Sequence, residues 1–104
     1  MTAPVKLILS CNIKPGLEEA KLAFVYITQE FPISMRNAGL ELSDAWYTVY
    51  GNWPQIRMSF MCREITELRT FLYSKTWETL KRELLHHAVD YRQKVVLSQD
   101  HIQF

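Results

Sequence analysis

The amino-acid sequence predicts an α+β domain in which helices cover one face of a four-stranded antiparallel sheet. Residues 5–13 alternate apolar and mixed side chains as a half-buried strand does, and residues 45–63 hold two further strand-like runs around a break at residues 51–54. Two stretches with apolar residues at three- and four-residue steps indicate helices between and after these strands. A chain of 104 residues is long enough for one modest core, so we expect a single domain over residues 1–104.

Composition and charge narrow the class of protein. With 48% hydrophobic and 12% aromatic residues, the chain is not of the disordered class. A net charge of +1 gives no electrostatic reason to expect nucleic acid or an anionic membrane as a partner. No apolar run reaches the length of a membrane span, and the first nine residues lack the layout of a secretory signal, so we expect a cytoplasmic protein.

The helices are delimited by proline, glycine and serine. Pro32 is expected to interrupt or kink the first helix, and Gly39 to end the turns that follow it. A short helix is predicted over residues 66–73, and Ser74 is a plausible N-cap for a long last helix. Residues 99–104 are expected to add a short edge strand. The stripe of the first helix comprises Leu17, Ala20, Phe24, Ile27 and Phe31. The stripe of the last helix comprises Trp77, Leu80, Leu84, Ala88, Tyr91 and Val95.

The register of the central hairpin decides which side chains share a face. We expect Tyr50 and Ile56 to close the loop, because aromatic and β-branched runs lie on either side of them. In that register Trp46 faces Phe60 on the apolar side of the sheet, whereas Arg57 lies on the mixed side.

The order strand, helix, strand, strand, helix, strand is the split βαβ, or ferredoxin-like, arrangement. The sheet face away from the helices is then expected to carry Lys6, Ile8, Ser10, Asn12, Tyr47, Val49, Arg57, Ser59 and Met61. Such a face is too apolar to stay in water and too polar for a dry core. We therefore expect a homodimer closed sheet to sheet, with a partly wet barrel between the subunits.

The two cysteines are expected to be free thiols. Cys11 and Cys62 form no CxxC arrangement, and small buried thiols are the commoner explanation for such a pair. Strands one and three are expected to be adjacent and to run in the same direction. Because both cysteines come late in their strands, this arrangement would make them neighbours.

Several short motifs, in order and spacing, resemble those of the dimeric α/β-barrel superfamily and, within it, of the NIPSNAP-like proteins. The resemblance spans roughly residues 5–97 and implies a fold and a dimer more readily than a function. Strand one departs from the pattern, because Leu9 and Cys11 stand where the family tends to have a basic and an aromatic residue. The motifs are Ile13-Lys14-Pro15-Gly16, Phe31-Pro32-Ile33 with Gly39-Leu40, Ala45-Trp46-Tyr47-Thr48 before Gly51, and Ser74-Lys75-Thr76-Trp77.

The resemblance also allows a comparison with haem-degrading members of the superfamily. Those proteins use an asparagine, a tryptophan and a histidine, and the matching positions here hold Leu9, Phe71 and Lys81. None of the three can do that work, since a lysine is not an imidazole axial ligand and a leucine offers no hydrogen bond to bound oxygen. We expect no cofactor.

His86 and His87 are the candidates for general acid–base catalysis. Two weak ligands without an HExxH pattern do not make a metal site, so we expect no metal. The commoner explanation is that both are ordinary histidines at the boundary of the core.

Five side chains are candidates for ligand binding, namely Tyr26, Trp46, Tyr50, Arg57 and Trp77. The commoner explanation for so many rings is a filled core and a dimer interface. Relatives with cofactor-free oxygenase activity hold flat ligands in an aromatic-lined cavity between helices and sheet. By that resemblance His86 or His87 would act as the base, and Tyr26 or Tyr50 would orient the substrate.

We therefore expect a NIPSNAP-like dimeric α/β-barrel protein that binds a small apolar or aromatic molecule. The alternative is a cofactor-independent monooxygenase or isomerase that acts on an aromatic or quinol-type substrate. A purely structural interaction module is the third hypothesis.

Overall fold

The protein folds as a four-stranded antiparallel sheet with helices on one face, which confirms the predicted α+β, ferredoxin-like class. The computed structural model describes residues 4–16, 19–48 and 50–97 of the chain. The strand order is β2-β3-β1-β4. The elements are β1 (Val5–Ile13), α1 (Ala20–Val25), a π-helical turn (Tyr26–Glu30), α2 (Phe31–Asn37), β2 (Glu41–Tyr47), β3 (Ile56–Cys62), α3 (Ile65–Leu72), α4 (Lys75–His87) and β4 (Ala88–Leu97).

Strand β1 lies in the middle of the sheet and carries the alternation that the sequence predicts. Val5, Leu7, Leu9 and Cys11 are buried beneath the helices, and the residues between them lie on the opposite face. The helices complete the core with large side chains, and Phe31 of α2 meets Phe60 of β3 edge to face at 5.9 Å between ring centroids.

Pro32 is accommodated by a change of helix type. Proline has no amide hydrogen, and its ring would clash with the carbonyl four residues earlier in a regular α-helix. The Phe31 amide instead donates to the Tyr26 carbonyl, five residues back, which widens the turn just before the proline. The predicted interruption is thus a π-helical turn, after which α2 runs on until Gly39, at φ +99°, ends it as expected.

The predicted register of the hairpin is wrong by three residues. Ile56 lies opposite Tyr47 rather than Tyr50, and Trp46 lies opposite Arg57. An odd shift exchanges the two faces, so Trp46 lies on the face away from the helices, while the Tyr47 ring contacts Phe24 at 5.7 Å.

The last ladder bond of this hairpin explains the shift. Thr48 N–H donates to the Gln55 carbonyl at 2.9 Å. Gln55 is held against the end of β1 by two hydrogen bonds. Its backbone N–H donates to Asn12 Oδ1 at 2.8 Å, and its side-chain Oε1 accepts from the Ile13 backbone N–H at 2.6 Å. The loop therefore begins before Tyr50, so Tyr50 lies in the loop and not in a paired strand.

The end of α4 also differs from the prediction. The helix begins at Ser74, whose Oγ accepts the Trp77 amide at 3.2 Å as expected of an N-cap, but it ends at His87 and the chain continues directly as β4. The spacing of Ala88, Tyr91 and Val95 resembles a helical stripe by coincidence. The predicted edge strand at residues 99–104 lies outside the described residues.

Strands β1 and β3 are adjacent, as expected, but they run antiparallel, so the expectation of neighbouring cysteines is wrong. Cys62 lies beside Val5 and Cys11 beside Ile56, which places the two sulfur atoms at opposite ends of the sheet, about 20 Å apart. Both thiols are free and buried, and burial raises the pKa of Cys11 to about 11.

A β-bulge in β4 places one residue in the left-handed region. Between the pairs Ser10–Arg92 and Asn12–Val89, β4 contains one residue more than β1. Asp90, in this bulge, has φ +55°, and its Oδ2 accepts from Asn12 Nδ2 at 3.0 Å. Aspartate tolerates this backbone better than most residues, so the bulge has a local sequence cause.

Replacing Asp90 tests this explanation. Asp90→Val is expected to lower the free energy of unfolding by about 2 kcal/mol, because it adds left-handed strain and removes the bond to Asn12. Asp90→Gly loses the bond to Asn12 but adds no strain. Its free energy of unfolding, measured in urea, is therefore expected to lie between those of Asp90→Val and the unchanged protein. Asp90→Asn keeps both features and is expected to be close to the unchanged protein. Equal stability of Asp90→Val and Asp90→Gly would contradict a backbone requirement at this position.

Candidate functional site

His87 and Tyr26 form a ring pair on the helix side of the sheet. His87 is the last residue of α4, and its ring centroid lies 4.5 Å from that of Tyr26 with a tilt of 31° between the planes. The His87 carbonyl accepts the Lys14 amide at 2.9 Å, so the backbone of this residue is fixed as well. Tyr26 opens the π-helical turn, a helix type that is frequent at functional sites.

The surroundings of Tyr26 keep its phenol protonated. Burial, followed by the negative charges of Glu83 and Glu30, raises the pKa of Tyr26 to about 12. The phenol therefore retains its proton throughout the physiological range and loses it only as the pH rises toward 12. The half-buried His87 ring therefore lies against an uncharged phenol.

The neighbouring His86 has no such setting. Its side chain is exposed, whereas that of His87 is half-buried. The helix places the two residues on different faces, so the structure brings only His87 to Tyr26.

The predicted aromatic residues do not converge on one cavity. Trp77 is buried in the core, where its ring packs 5.5 Å from that of Phe71. Tyr50 is 96% exposed in the hairpin loop, and Trp46 lies on the face away from the helices. Tyr26 is the predicted ring that lies beside a histidine candidate.

We call the sheet face away from the helices the open face. Its central side chains from β1 and β3 are Lys6, Ile8, Ser10, Arg57, Ser59 and Met61, which confirms the sequence expectation for these six. The register adds Glu41, Asp44 and Trp46 from β2, and Arg92, Lys94 and Val96 from β4. Tyr47 is not on this face, and Val49 lies outside the described residues.

Trp46 and Arg57 contact each other on the open face. The guanidinium carbon of Arg57 lies 5.6 Å from the centroid of the Trp46 ring, within the range of a cation–π interaction. The indole is 52% exposed in the single chain. One row further on, Lys6 Nζ lies 3.8 Å from Asp44 Oδ2.

One open groove of about 600 Å³ lies between helices, and none of the predicted site residues lines it. It is bordered by Ser34, Asn37, Ala38, Glu67, Thr70, Phe71, Ser74, Thr76 and Leu80. In the part of the chain that the structure describes, no group of three or more histidine, cysteine, aspartate or glutamate side chains is placed to hold a metal ion. None of the described helices is both long and apolar enough to cross a membrane.

The sequence reasoning missed a polar network at one end of the sheet and the arginine of β4. The network consists of Asn12, Gln55 and Asp90. Its members are far apart in the sequence, so no local signal marks them. Arg92 was assigned to a helix, although the β-branched Val89, Val95 and Val96 on either side of it are typical of a strand.

No family model and no curated protein matches the sequence. Solved structures share the fold. An ethyl tert-butyl ether d family protein from Bacillus halodurans is 12% identical with a TM-score of 0.69, over 92% of this chain and 99% of that one. A NIPSNAP-like domain protein from Burkholderia xenovorans is 14% identical with a TM-score of 0.64, over 99% of this chain and 91% of that one.

A third structure is a protein of unknown function from Bacteroides fragilis, described as dimeric and ferredoxin-like. It is 9% identical with a TM-score of 0.64, over 91% of this chain and 96% of that one. Identities this low establish the fold alone. The chain therefore has the ferredoxin-like fold of the NIPSNAP-like proteins, as the sequence resemblance implied.

Proposed function

We propose that the protein is a homodimer that binds a small apolar or aromatic molecule, with the open faces of two sheets packed against each other. The observation that carries this proposal is Trp46, a large ring that remains half-exposed on the open face although the helix-facing apolar side chains of the two central strands, β1 and β3, are buried.

The composition of the open face supports the dimer. Ile8, Met61 and Val96 are half-buried between charged side chains in the single chain, and Trp46 adds an exposed indole to them. Apolar side chains that share a sheet face with charges are typical of a surface that another molecule covers. The Bacteroides fragilis protein of the same fold is described as dimeric, which agrees with this assembly.

The contents of the core support a ligand between the sheets rather than under the helices. The space that the sequence reasoning reserved for a ligand holds Trp77, Phe71 and other buried side chains. A barrel between two open faces would instead border Trp46 and Arg57.

A charge placed in the open face tests the dimer. Ile8→Lys introduces one more positive charge per chain into the proposed interface, beside Lys94 of β4, where an unpaired charge costs several kcal/mol, so the dimer is expected to dissociate at least about 100-fold more readily. Light scattering at micromolar concentration is expected to give about twice the chain mass of 12.3 kDa for the unchanged protein and the chain mass for the variant.

The matched control for this change is Ile33→Lys on α2, at a side chain that is 51% exposed on the helix side. It is expected to leave the dimer intact. Circular dichroism checks that both variants fold. A monomeric mass for the unchanged protein would contradict the proposed assembly.

Removing the indole of Trp46 tests the ligand. A ligand at 100 times its Kd adds about 2.7 kcal/mol to the free energy of unfolding, so a thermal-shift screen of quinols, polyketide-like aromatics and fatty acids is expected to show a rise in Tm of roughly 10 °C for a binder. Trp46→Ala is expected to abolish most of this rise. Trp53→Ala, which removes a 77% exposed indole in the hairpin loop, is expected to keep it. Equal loss in both variants would contradict a site at Trp46.

The contact between His87 and Tyr26 favours a second candidate function, a cofactor-independent monooxygenase or isomerase. Such an enzyme removes a proton from its substrate. In a monooxygenase the resulting carbanion is then oxidised by O2, of which one oxygen atom enters the product and the other leaves as water, whereas in an isomerase the proton returns at another carbon and no O2 is consumed. His87 has the position for the base, and the neutral phenol of Tyr26, 4.5 Å away between ring centroids, has the position to orient the substrate.

The two adjacent histidines provide a matched test of the second candidate. His87→Gln is expected to reduce oxygen uptake with a quinol-type substrate by about 100-fold or more, the usual contribution of general acid–base catalysis. His86→Gln, which changes an exposed side chain on the same helix, is expected to retain the rate. An oxygen electrode measures both. No turnover by the unchanged protein, or equal rates in both variants, would contradict this candidate.

A further inference from the structure

One row of side chains across the open face contains two arginines on either side of a serine. The pairing of β2 with β3 places Trp46 beside Arg57, the pairing of β3 with β1 places Arg57 beside Ser10, and the pairing of β1 with β4 places Ser10 beside Arg92. Directly paired residues point to the same face, so all four side chains belong to the open face. Adjacent strands lie about 4.8 Å apart, which puts the two arginine backbones about 10 Å apart with Ser10 between them.

Neither arginine has an acidic partner among the residues that the structure describes. Within the described ranges, no ion pair involves Arg57 or Arg92. Of the carboxylates along this face, Asp44 lies 3.8 Å from Lys6 and Asp90 accepts from Asn12, while Glu41 lies beside Met61, two rows from Arg57. Lys94 lies one row from Arg92 on the same strand and adds a further positive charge.

Closing the open face brings these positive charges together, which weakens the contact between the two sheets until an anion joins them. A guanidinium cannot lose its proton in a protein, so burial does not neutralise it. An unpaired buried charge is among the costliest features of an interface. Two sheets packed face to face would enclose Arg57 and Arg92 from both chains, and these four charges require negative partners.

The contact with Trp46 prepares Arg57 for such a partner. The indole lies against the guanidinium at 5.6 Å and restricts its motion, while the planar group retains its N–H donors. Ser10 contributes a hydroxyl donor between the two arginines. Arginine forks match the two oxygens of a carboxylate, and Ile8, two residues along β1 on the same face, offers an apolar surface beside them.

We propose that Arg57, Ser10 and Arg92 form an anion site that binds the carboxylate of an apolar or aromatic acid. This inference rests on the proposed ligand-binding dimer and specifies its ligand class. The apolar body of the ligand lies along Ile8, and Trp46 acts as a positioning residue for Arg57.

Two probes that differ only in charge test the site. Isothermal titration calorimetry compares 1-naphthoate with 1-naphthamide, which has the same ring system but no negative charge. Hydrogen bonds to a charged group favour the acid, so 1-naphthoate is expected to bind at least about tenfold more tightly, with an affinity that falls as salt is added.

Variants test whether the two arginines cause the difference in affinity between the two probes. Arg57→Gln and Arg92→Gln are each expected to weaken 1-naphthoate about tenfold or more and to leave 1-naphthamide unchanged. Arg69→Gln, at an exposed arginine of α3 on the helix side, is the matched control and is expected to change neither affinity. Light scattering and thermal unfolding confirm that each variant is folded and dimeric.

The outcomes separate this inference from the proposed function. Equal affinities for the two probes would overturn the anion site and leave an apolar ligand site in place. Binding of neither probe would count against both. Displacement of 1-naphthoate by an equal concentration of inorganic phosphate would overturn the assignment to a carboxylate. A crystal structure of the dimer with Arg57 and Arg92 paired to carboxylates of the partner chain would overturn the anion site as well.

Discussion

The packing of one face of β1 against the helices is the constraint on which the rest of the structure depends. This strand lies between β3 and β4, and its alternate residues Val5, Leu7 and Leu9 are fully buried in the core. Because side chains alternate along a strand, the same packing fixes Lys6, Ile8 and Ser10 on the open face. A shift of β1 by one residue would exchange the two sets, so the core and the open face are determined together.

Features of the fold that depend on nearby residues were predictable from the sequence. The alternation in β1, the N-cap at Ser74 and the glycine that ends α2 at residue 39 each have a cause within a few residues. The hairpin register and the end of α4 have no such local cause. The first depends on bonds between Gln55 and the distant end of β1, and the second on the pairing of β4 with β1. Such long-range pairing overrides local periodicity.

The candidate site likewise combines features that were predictable from the sequence with features that depend on long-range pairing. Residue types alone indicated Trp46, Arg57, Tyr26 and His87 as candidates, although a filled core and a boundary position were the commoner explanations for the rings and the imidazole. Their grouping was not predictable, since it depends on the parity of the hairpin register and on the point where α4 becomes β4. The sequence pattern assigned residue 92 to a helix, and the second arginine of the open face is visible only once β4 is paired with β1.

Assembly and ligand binding are coupled if the two proposals hold. The apolar side chains of the open face favour contact between two sheets, whereas the positive charges of Arg57 and Arg92 oppose it. An anion between the sheets neutralises these positive charges, so that the favourable contact of the apolar side chains remains. Linkage is reciprocal, so a ligand that strengthens the dimer must bind more tightly to the dimer than to the single chain, by the same factor. The unpaired arginines then act as the element through which the ligand controls assembly, which explains why a face built for contact carries charges that resist it.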